Sequence, residues 1–317
     1  MSPRHRGTDA GSDSRTQSRS EGAGPRGKDA PEPTLADVLE VLEGAYPLDW
    51  AEDWDRAGLV LGDRSATVRK ILLAVDPTIA VADEAVEAGA DLLITHHPLL
   101  MKGASFLPED SGKGAVVGRL LRAGTALWCG HTNVDRSSLG TVGAWVSALS
   151  LRSVAPLRPA DGRDADGDEG EDSRHGSRLI GLGATGMLRR STTVRQLAER
   201  ISTLVPATAQ GIRFTGDPER KVRRVALCPG AGDSFLDLAA ESGADVYITS
   251  DLRHHPALEH LESRADARAV PALIDVAHSA SEALWLPLAK ELLEAALPHL
   301  EVRTSEIPTD PWSGRVD

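Results

Sequence analysis

The chain has 317 residues, of which 41% are hydrophobic and 26% charged, the balance of a soluble globular protein with one large domain or two ordinary ones. Its formal net charge of −12 argues against a protein that coats nucleic acid, which needs a basic surface. No apolar run approaches the roughly 18 residues that a membrane-spanning helix needs. We therefore predict neither nucleic acid nor a membrane as a partner.

The cysteines bear on the compartment. Cys129 and Cys228 lie far apart and belong to no CxxC pair. Lone thiols without a disulfide framework suit a reducing compartment. The N-terminus also lacks the apolar stretch of a signal peptide, so the sequence predicts a cytoplasmic protein.

Composition divides the chain into four segments. Residues 1–33 contain Gly, Ser, Arg, Asp and Pro with almost nothing to bury, which predicts a disordered tail. Residues 34–158 are typical of a first α/β half, and residues 178–317 of a second half that completes the site. Between them, residues 159–177 are strongly acidic and predict a solvated loop, in which His175 is a surface residue.

An internal repeat relates the two halves. The segments 68–73 and 87–95 recur as 222–227 and 241–249, in both cases 154 residues later. Each copy contains a β-branched run, a helical stretch, a glycine turn and a second buried run, which predicts a strand–helix–strand unit with parallel strands. We therefore expect an α/β fold of two similar halves, with mixed, largely parallel sheets, outer helices and a metal site in the cleft between the halves.

The repeat has a chemical counterpart further along the chain. A short buried run precedes His131 and, four residues later, Asp135; another precedes His278 and, at the same spacing, Glu282. Chance can produce one His-x-x-x-carboxylate motif after a strand, but hardly two in matching order. We infer that the two halves face each other.

Two histidines follow directly on the apolar run 92–95. His96 and His97 thus lie beyond the carboxyl end of a predicted strand, where α/β sheets form ligand sites. Adjacent residues that leave a strand point in different directions, so the two imidazoles would serve two neighbouring ions better than one. The alternative is a pair of loop histidines that bond backbone carbonyls.

Asp135 and Glu282 would supply anionic oxygens, but each has a structural alternative. Asp135 could form an Asx turn or a helix N-cap. His278 and Glu282 share a helix face at i and i+4 spacing. Residues 279–282 also fit a capping box for a helix that contains residues 283–296, in which Glu282 bonds backbone donors. The two roles of Glu282 are compatible if the cap needs only one carboxylate oxygen.

The candidates together provide three imidazoles and two carboxylates, namely His96, His97, Asp135, His278 and Glu282. This mixture suits Zn, Mn, Fe, Co or Ni, and the lack of a thiolate argues against a structural zinc site. If Glu282 bridges two divalent ions, each ion keeps coordination positions open for water, as catalytic sites do.

These motifs closely resemble those of the Nif-three-like dinuclear metal-centre proteins, a family also called GTP cyclohydrolase I type 2. The resemblance covers residues 34 to about 299 and rests on the motifs Ile-Thr-His-His-Pro-Leu at 94–99, His-Thr-Asn-Val-Asp at 131–135 and Asp275 with His278 and Glu282. It implies that His97, Asp135 and Glu282 hold one ion, and that His96, His278 and the bridging Glu282 hold the other.

The resemblance also implies a toroidal homohexamer whose sites face an internal cavity, and a short form of the family without an inserted domain. Two places depart from the family pattern. Arg56 stands where members usually have Asn, and Ser250-Asp251 where they have Gly-Glu or Gly-Asp. Neither is a ligand position, so the departures concern the lining of the cavity.

Three further histidines have more than one interpretation. His131 either orients Asp135 or a water molecule, or ligates a metal directly. His254 and His255 repeat the His-His-Pro sequence but lie beyond the end of the second copy's strand. They either line the cavity or lie on the surface.

Two glycine-rich segments resemble phosphate-binding loops. Residues 181–186 match the dinucleotide pattern GxGxxG, but the preceding apolar run is too short and the next helix starts only near Thr193, where Gln196 completes its cap. We interpret this segment as two short strands with turns. The loop 229–234 either offers backbone donors to an anion or forms a tight strand-to-helix turn.

A dinuclear site predicts a metal-dependent hydrolase, because paired ions activate water and stabilise developing negative charge. The resemblance implies a nucleotide-like substrate, with opening of the imidazole ring of GTP as the reaction; phosphoester hydrolysis would use the same ions. The alternative is a non-catalytic metal-binding regulator or scaffold, because the sequence offers no unpaired general acid beside the site. Binding of single-stranded nucleic acid fits the acidic balance poorly.

Overall fold

The computed structural model describes residues 32–110, 112–160 and 181–316. Most of the predicted tail 1–33 and of the predicted acidic loop 159–177 lies outside these ranges, so both remain predictions. Within the described part, no helix is long and apolar enough to cross a membrane.

Helices and strands alternate along most of the chain. The helices are α1 (Leu35–Ala45), α2 (Ile79–Glu87), α3 (Gly112–Ala123), α4 (Thr132–Asp135), α5 (Thr141–Leu149), α6 (Val194–Leu204), α7 (Leu236–Glu241), α8 (His254–Glu262), α9 (His278–Glu282) and α10 (Trp285–Ala296). The strands are β1 (Gly58–Leu61), β2 (Lys70–Ala74), β3 (Leu92–Thr95), β4 (Ala126–Cys129), β5 (Arg152–Arg158), β6 (Leu182–Thr193), β7 (Arg213–Phe214), β8 (Lys221–Ala231), β9 (Val246–Ser250), β10 (Ala272–Asp275) and β11 (Glu301–Thr304). Thr193 and Gln196 form a capping box at the start of α6, which confirms the predicted start of that helix.

The first sheet has the strand order β1-β4-β3-β2-β11. Strands β4, β3, β2 and β11 run parallel, and β1 is antiparallel to β4. Strand β3 is buried along its whole length, as expected for a strand in a parallel sheet with both faces covered. The carboxyl ends of β2, β3 and β4 therefore lie side by side at one end of the sheet.

The second sheet has the order β5-β6-β8-β9-β10-β7. Strands β8, β9 and β10 run parallel, whereas β5, β6 and β7 join antiparallel. The predicted architecture of two α/β halves with mixed sheets is confirmed. The antiparallel pairings of the second sheet involve β5, β6 and β7, which lie outside the repeated segments.

The internal repeat reappears in the hydrogen bonding. In the first copy, a carboxylate oxygen of Asp91 accepts hydrogen bonds from the backbone N–H groups of Arg69 and Lys70, at 2.7 and 2.9 Å. In the second copy, Asp245 accepts the equivalent bonds from Arg223 and Arg224, just before β8 begins its pairing with β9, at 2.7 and 2.8 Å. Each carboxylate thus ties the start of one parallel strand to the start of its neighbour.

The C-terminal segment departs from the predicted division of the chain, which assigns residues 178–317 to the second half. Strand β11 pairs with β2 of the first sheet. Trp285, Leu293 and Val302 pack in the hydrophobic core of the first half. A strand of four residues carries too little pattern to reveal which sheet edge it joins. The chain therefore crosses back to the first half directly after α9.

The glycine-rich segment 181–186 corrects a second expectation, that of two short strands with turns. It leads into β6, a single strand of 12 residues that pairs with β5 and β8. Gly183 adopts a φ of +66° within this strand, a conformation that residues with a Cβ avoid. Strand β8 likewise continues through Ala231, so the loop predicted at 229–234 begins inside a strand.

Buried tryptophans connect the two cores to the segment that carries the site. The indole N–H of Trp145 in α5 donates to the backbone carbonyl of Ser281 in α9, at 2.7 Å. Trp285, which begins α10, packs edge to face against Tyr46 at 5.9 Å between ring centroids. Its indole N–H donates to the Tyr46 hydroxyl. These fully buried contacts hold the C-terminal end of α9.

Candidate metal centre

Each of the five candidate side chains follows the carboxyl end of a strand, three in the first sheet and two in the second. His96 and His97 come directly after β3, and Asp135 ends α4, the single turn that follows β4. From the second sheet, His278 begins α9 and Glu282 ends it, after β10. Because α9 is helical, the spacing of four residues puts His278 and Glu282 on one face.

Glu282 lies at the centre of the group. One carboxylate oxygen, Oε1, lies 3.0 Å from Nε2 of His278 and 3.4 Å from Nε2 of His96. The other oxygen, Oε2, lies 3.0 Å from Nε2 of His97. One carboxylate from the second half therefore contacts three imidazoles, two of which come from the first half.

The capping interpretation of Glu282 is wrong. Helix α10 begins after Leu284 without a side-chain cap, and α9 begins after Ala277, also without one. The Glu282 side chain is 4% exposed and faces the imidazoles instead. The capping pattern at 279–282 is a coincidence of sequence, because a short helix ends where the pattern predicts the start of a long one.

Each imidazole is fixed through its second nitrogen. The Nδ1–H of His96 donates to the carbonyl oxygen of Gly130, at 2.8 Å. Nδ1 of His97 bonds Asp76 and Nδ1 of His278 bonds Asp251, both at 2.6 Å. With Nδ1 engaged in this way, every Nε2 points toward Glu282. In protein metal sites, the histidine nitrogen that does not face the metal usually donates a hydrogen bond to a carboxylate or a backbone carbonyl.

Asp135, the fifth candidate, lies next to His96. Its Oδ1 lies 3.5 Å from Nε2 of His96, and the hydroxyl of Thr141 donates to the same oxygen at 2.5 Å. The residue caps no helix, since the N-cap of α5 is Gly140. The predicted Asx-turn and N-cap alternatives therefore do not describe this side chain.

The contacts group the five side chains differently from the ligand sets that the family resemblance implies, and those sets stay a prediction. His96, rather than His97, contacts Asp135. His97 instead forms a group with His278 and Glu282 in which the potential ligand atoms lie within 4.8 Å of one another. Sequence could not decide this, because the direction of each imidazole after β3 depends on the acceptor that its Nδ1 finds.

Charge interactions dominate the protonation of the group. Burial alone would raise the pKa of Glu282, but His96 and His97 hold that pKa well below its usual range. Burial opposes protonation of the imidazoles, yet Glu282 and Asp76 raise the pKa of His97 to about 11, and Asp251 and Glu282 raise that of His278 to about 10.

The burial and donor chemistry of the site fit divalent cations. Nε2 of His96 and Oε2 of Glu282 are buried, and despite their close contacts within the group neither has a well-directed hydrogen bond among the described residues. Buried polar atoms without partners are costly in a folded protein, and coordination to a cation satisfies them. Both cysteines are buried free thiols whose burial raises the pKa to about 12, so thiolates are not part of this site.

His131 lies beside the group but is held differently. Its Nδ1 bonds Asp55 at 2.8 Å, and a ring nitrogen lies within 4.8 Å of ring nitrogens of His96 and His97. Burial opposes ionisation of Asp55, but His131 and Thr132 lower the pKa of this carboxyl far below its usual value. His131 therefore contacts the metal-site imidazoles and bonds Asp55 rather than Asp135.

Sequence reasoning missed three carboxylates that support the histidines: Asp55, Asp76 and Asp251. Asp76 follows β2, one strand away from His96 and His97, so its position at a strand end was an available signal. Asp251 occupies the position of His97 in the repeat, and its φ of +56° is in the left-handed region. The sequence placed Asp251 only in the cavity lining, because a repeat shows which positions are equivalent but not which side chains touch.

One residue of the predicted loop 229–234, Gly230, lies against the site. The backbone N–H of Gly230 donates to the hydroxyl of Ser281 at 3.0 Å, so this donor is used within the protein. Gly230 has a φ of +71°, and a Cβ at this position would lie 2.4 Å from Oε1 of Glu282. The close approach requires glycine here.

A cavity of about 230 Å³ opens beside His97 and His278. The C-terminal segment forms one of its walls through Thr309, Asp310 and Trp312. Of the other two histidines, His254 and His255 begin α8, are exposed, and lie 5.1 Å apart between ring centroids. Neither is among the described residues that line this cavity.

Comparisons with known proteins agree with the fold and the motifs. The family model described as Duf34/NIF3 (NGG1p interacting factor 3) matches residues 33–311. A protein of Streptomyces coelicolor named GTP cyclohydrolase 1 type 2 homolog is 42% identical over 288 residues, covering 90% of this chain and 95% of its own. A protein of Mycobacterium tuberculosis with the same name is 33% identical and covers 88% and 96%.

Solved structures show the same architecture. A hypothetical protein of Staphylococcus aureus superimposes with a TM-score of 0.76 at 27% identity, covering 89% of this chain and 99% of its own. A Bacillus cereus protein related to NIF3 gives a TM-score of 0.75 at 21% identity, with the same coverage. On the match of the family model and the identity to its relatives, the chain belongs to the Duf34/NIF3 family.

Proposed function

We propose that the protein binds two divalent metal ions that share Glu282. His96 and Asp135 would complete one set of ligands, and His97 and His278 the other. The observation that carries this proposal is the contact of both Glu282 oxygens with imidazole Nε2 atoms at 3.0 to 3.4 Å. Zn, Mn, Fe, Co and Ni suit the mixture of nitrogen and oxygen donors.

We further propose that the site catalyses hydrolysis of a nucleotide-like substrate. When bound, a pair of such ions supplies Lewis acidity and activates water near neutral pH. The chain's own residues orient the ligands: Asp76 and Asp251 fix the rings of His97 and His278. Among the described residues, His131, held by Asp55, is the one additional imidazole next to the group, and it is the candidate proton-transfer residue that the sequence did not show.

The reaction most in keeping with the relatives is that of a GTP cyclohydrolase, because curated relatives carry the name GTP cyclohydrolase 1 type 2 homolog. Protein loaded with Mn or Zn and given GTP should release formate and retain the triphosphate on the product. A His97→Ala variant should lose this activity, and a His299→Ala variant, which removes an exposed histidine, should keep it. No formate with any of these metals and nucleotides would refute the hydrolase proposal.

A non-catalytic metal-binding role is the second candidate. It is favoured by the cavity beside the site, whose described lining contains Asp76, Asp251 and Asp310 but no lysine or arginine. A triphosphate would find no lysine or arginine among these residues. If metal loads fully while turnover stays absent, and partner binding follows oligomeric state, the regulatory or scaffold role replaces the hydrolase.

Assembly and location are part of the proposal. The family resemblance supports a homohexamer, which light scattering coupled to size-exclusion chromatography would measure as six times the 33.6 kDa of the chain. Two buried free thiols support a reducing, cytoplasmic location. Fractionation of cells that express the protein would test the location.

A further inference from the structure

A second cavity, of about 800 Å³, lies on the second half. It is bounded by the end of α5, the start of β5, the middle of β6 and one face of α6, and it shares no lining residue with the cavity beside the metal centre. Small-molecule sites usually have volumes of about 300 to 1,000 Å³. The size of this cavity therefore suits one small ligand.

Four arginines line this cavity: Arg152, Arg189, Arg190 and Arg200. No aspartate or glutamate is among its described lining residues. The amide nitrogen of Gln196 offers a further donor, whereas the hydroxyls of Ser191 and Thr192 already donate to Val222 and Gln196 within the protein. In a chain of net charge −12, such a concentration of positive charge is a local exception.

These four arginines have no carboxylate partner in the part of the chain that the structure describes. Among the described residues, Arg152, Arg189 and Arg190 form no salt bridge, whereas Arg119 and Arg253 elsewhere in the chain pair with aspartates. The Arg200 side chain donates to a backbone carbonyl at 2.8 Å and has no counterion within residues 32–110, 112–160 and 181–316. Guanidinium groups that converge without carboxylates repel one another, and an anion relieves this repulsion.

Irregular strand pairing opens the cavity. The register of β6 against β8 shifts between Met187 and Thr192, and the register of β5 against β6 shifts between Arg152 and Ala155. Arg189 and Arg190 lie within the first of these irregular stretches and are exposed. Bulges re-aim side chains away from the regular alternation of a strand, which allows consecutive arginines to line one cavity.

We propose that this cavity binds a small anion that carries several phosphoryl groups, at a site separate from the metal centre. Planar guanidinium groups bind phosphoryl oxygens in pairs, and several arginines together match a chain of phosphates better than a single charge. The limited volume and the acidic remainder of the chain favour a small polyphosphate over a nucleic-acid strand. The proposal does not depend on the function of the metal centre.

The test is calorimetric titration of the full-length protein with inorganic triphosphate at about 0.15 M salt, where weak surface attraction is screened. The double variant Arg189→Ala/Arg190→Ala should bind triphosphate about 10- to 100-fold more weakly, because it loses two charge-assisted contacts. The double variant Arg264→Ala/Arg268→Ala removes the same charge from an exposed segment elsewhere and should bind like the wild type.

Four results would overturn the proposal. Wild-type affinity for triphosphate in Arg189→Ala/Arg190→Ala would show that these arginines do not bind it. An equal loss of affinity in Arg264→Ala/Arg268→Ala would show that the loss reflects only the change in net charge. Binding that is lost in Glu282→Gln but kept in Arg189→Ala/Arg190→Ala would place the anion at the metal centre. Tighter binding of a single-stranded oligonucleotide that needs the same arginines would identify a nucleic-acid surface instead. Thermal unfolding of each variant checks that it folds.

Discussion

Replacing Gly230 by alanine should weaken metal binding by more than its small effect on the stability of the fold explains. Gly230 has a φ of +71°, and left-handed backbone costs a residue with a Cβ about 1–2 kcal/mol. The added Cβ would also lie 2.4 Å from Oε1 of Glu282 and 3.3 Å from Nε2 of His278. Because Gly230 is held by a backbone bond to Ser281, we expect the Glu282 carboxylate to move instead.

Gly243→Ala is the matched control for this experiment. Gly243 has a φ of +69°, and a Cβ there would meet nothing within 4 Å. Both variants should lose about 1–2 kcal/mol of stability, a decrease in Tm of a few degrees. Gly230→Ala alone should bind metal about 10- to 100-fold more weakly, measured by titration of metal into chelator-treated protein. Equal metal affinity in the two variants would refute the central position given to Glu282.

Three further predictions concern the groups around the site and the repeat. Asp76→Asn should weaken metal binding about 10- to 100-fold, because the amide no longer provides an anionic acceptor for Nδ1 of His97; unchanged affinity would contradict its orienting role. In metal-free protein the pKa values of His97 and His278 are raised to about 11 and 10, so the stability that their ion pairs contribute is fully present below about pH 6.5 and is lost as the pH rises through these values. The Tm of chelator-treated protein should therefore fall between pH 7 and 10, and a constant or rising Tm would contradict the assignment. Asp91→Ala and Asp245→Ala should each destabilise the protein by about 1–2 kcal/mol in chemical denaturation, since each carboxylate accepts two backbone hydrogen bonds.

The sequence alone predicted the parts of the fold that repeat. Residues 68–95 and 222–249 carry the same order of strand, helix, glycine turn and strand, and the structure gives both copies the same carboxylate contact to the start of a strand. The sequence did not predict where β11 pairs, because a short edge strand such as Glu301–Thr304 is placed by long-range packing rather than by its own pattern.

The five candidate side chains were predicted from strand ends, and the structure brings them together as expected. Their arrangement was not predictable, because it depends on hydrogen bonds between residues far apart in the chain. His97 turns toward His278 because its Nδ1 bonds Asp76, and His96 turns toward Asp135 because its Nδ1 bonds the carbonyl of Gly130. Periodicity and spacing describe local structure and carry no information on such pairings.

The count of metal ions per chain tests the account most directly. Elemental analysis of purified protein should give two divalent ions for the wild type and for Glu294→Gln, which alters an exposed carboxylate paired with Lys290. Glu282→Gln should lose most of both ions, since one side chain contacts the histidines of both proposed ligand sets. Two tightly held ions in Glu282→Gln, or none in the wild type after loading with Zn or Mn, would contradict the proposed centre.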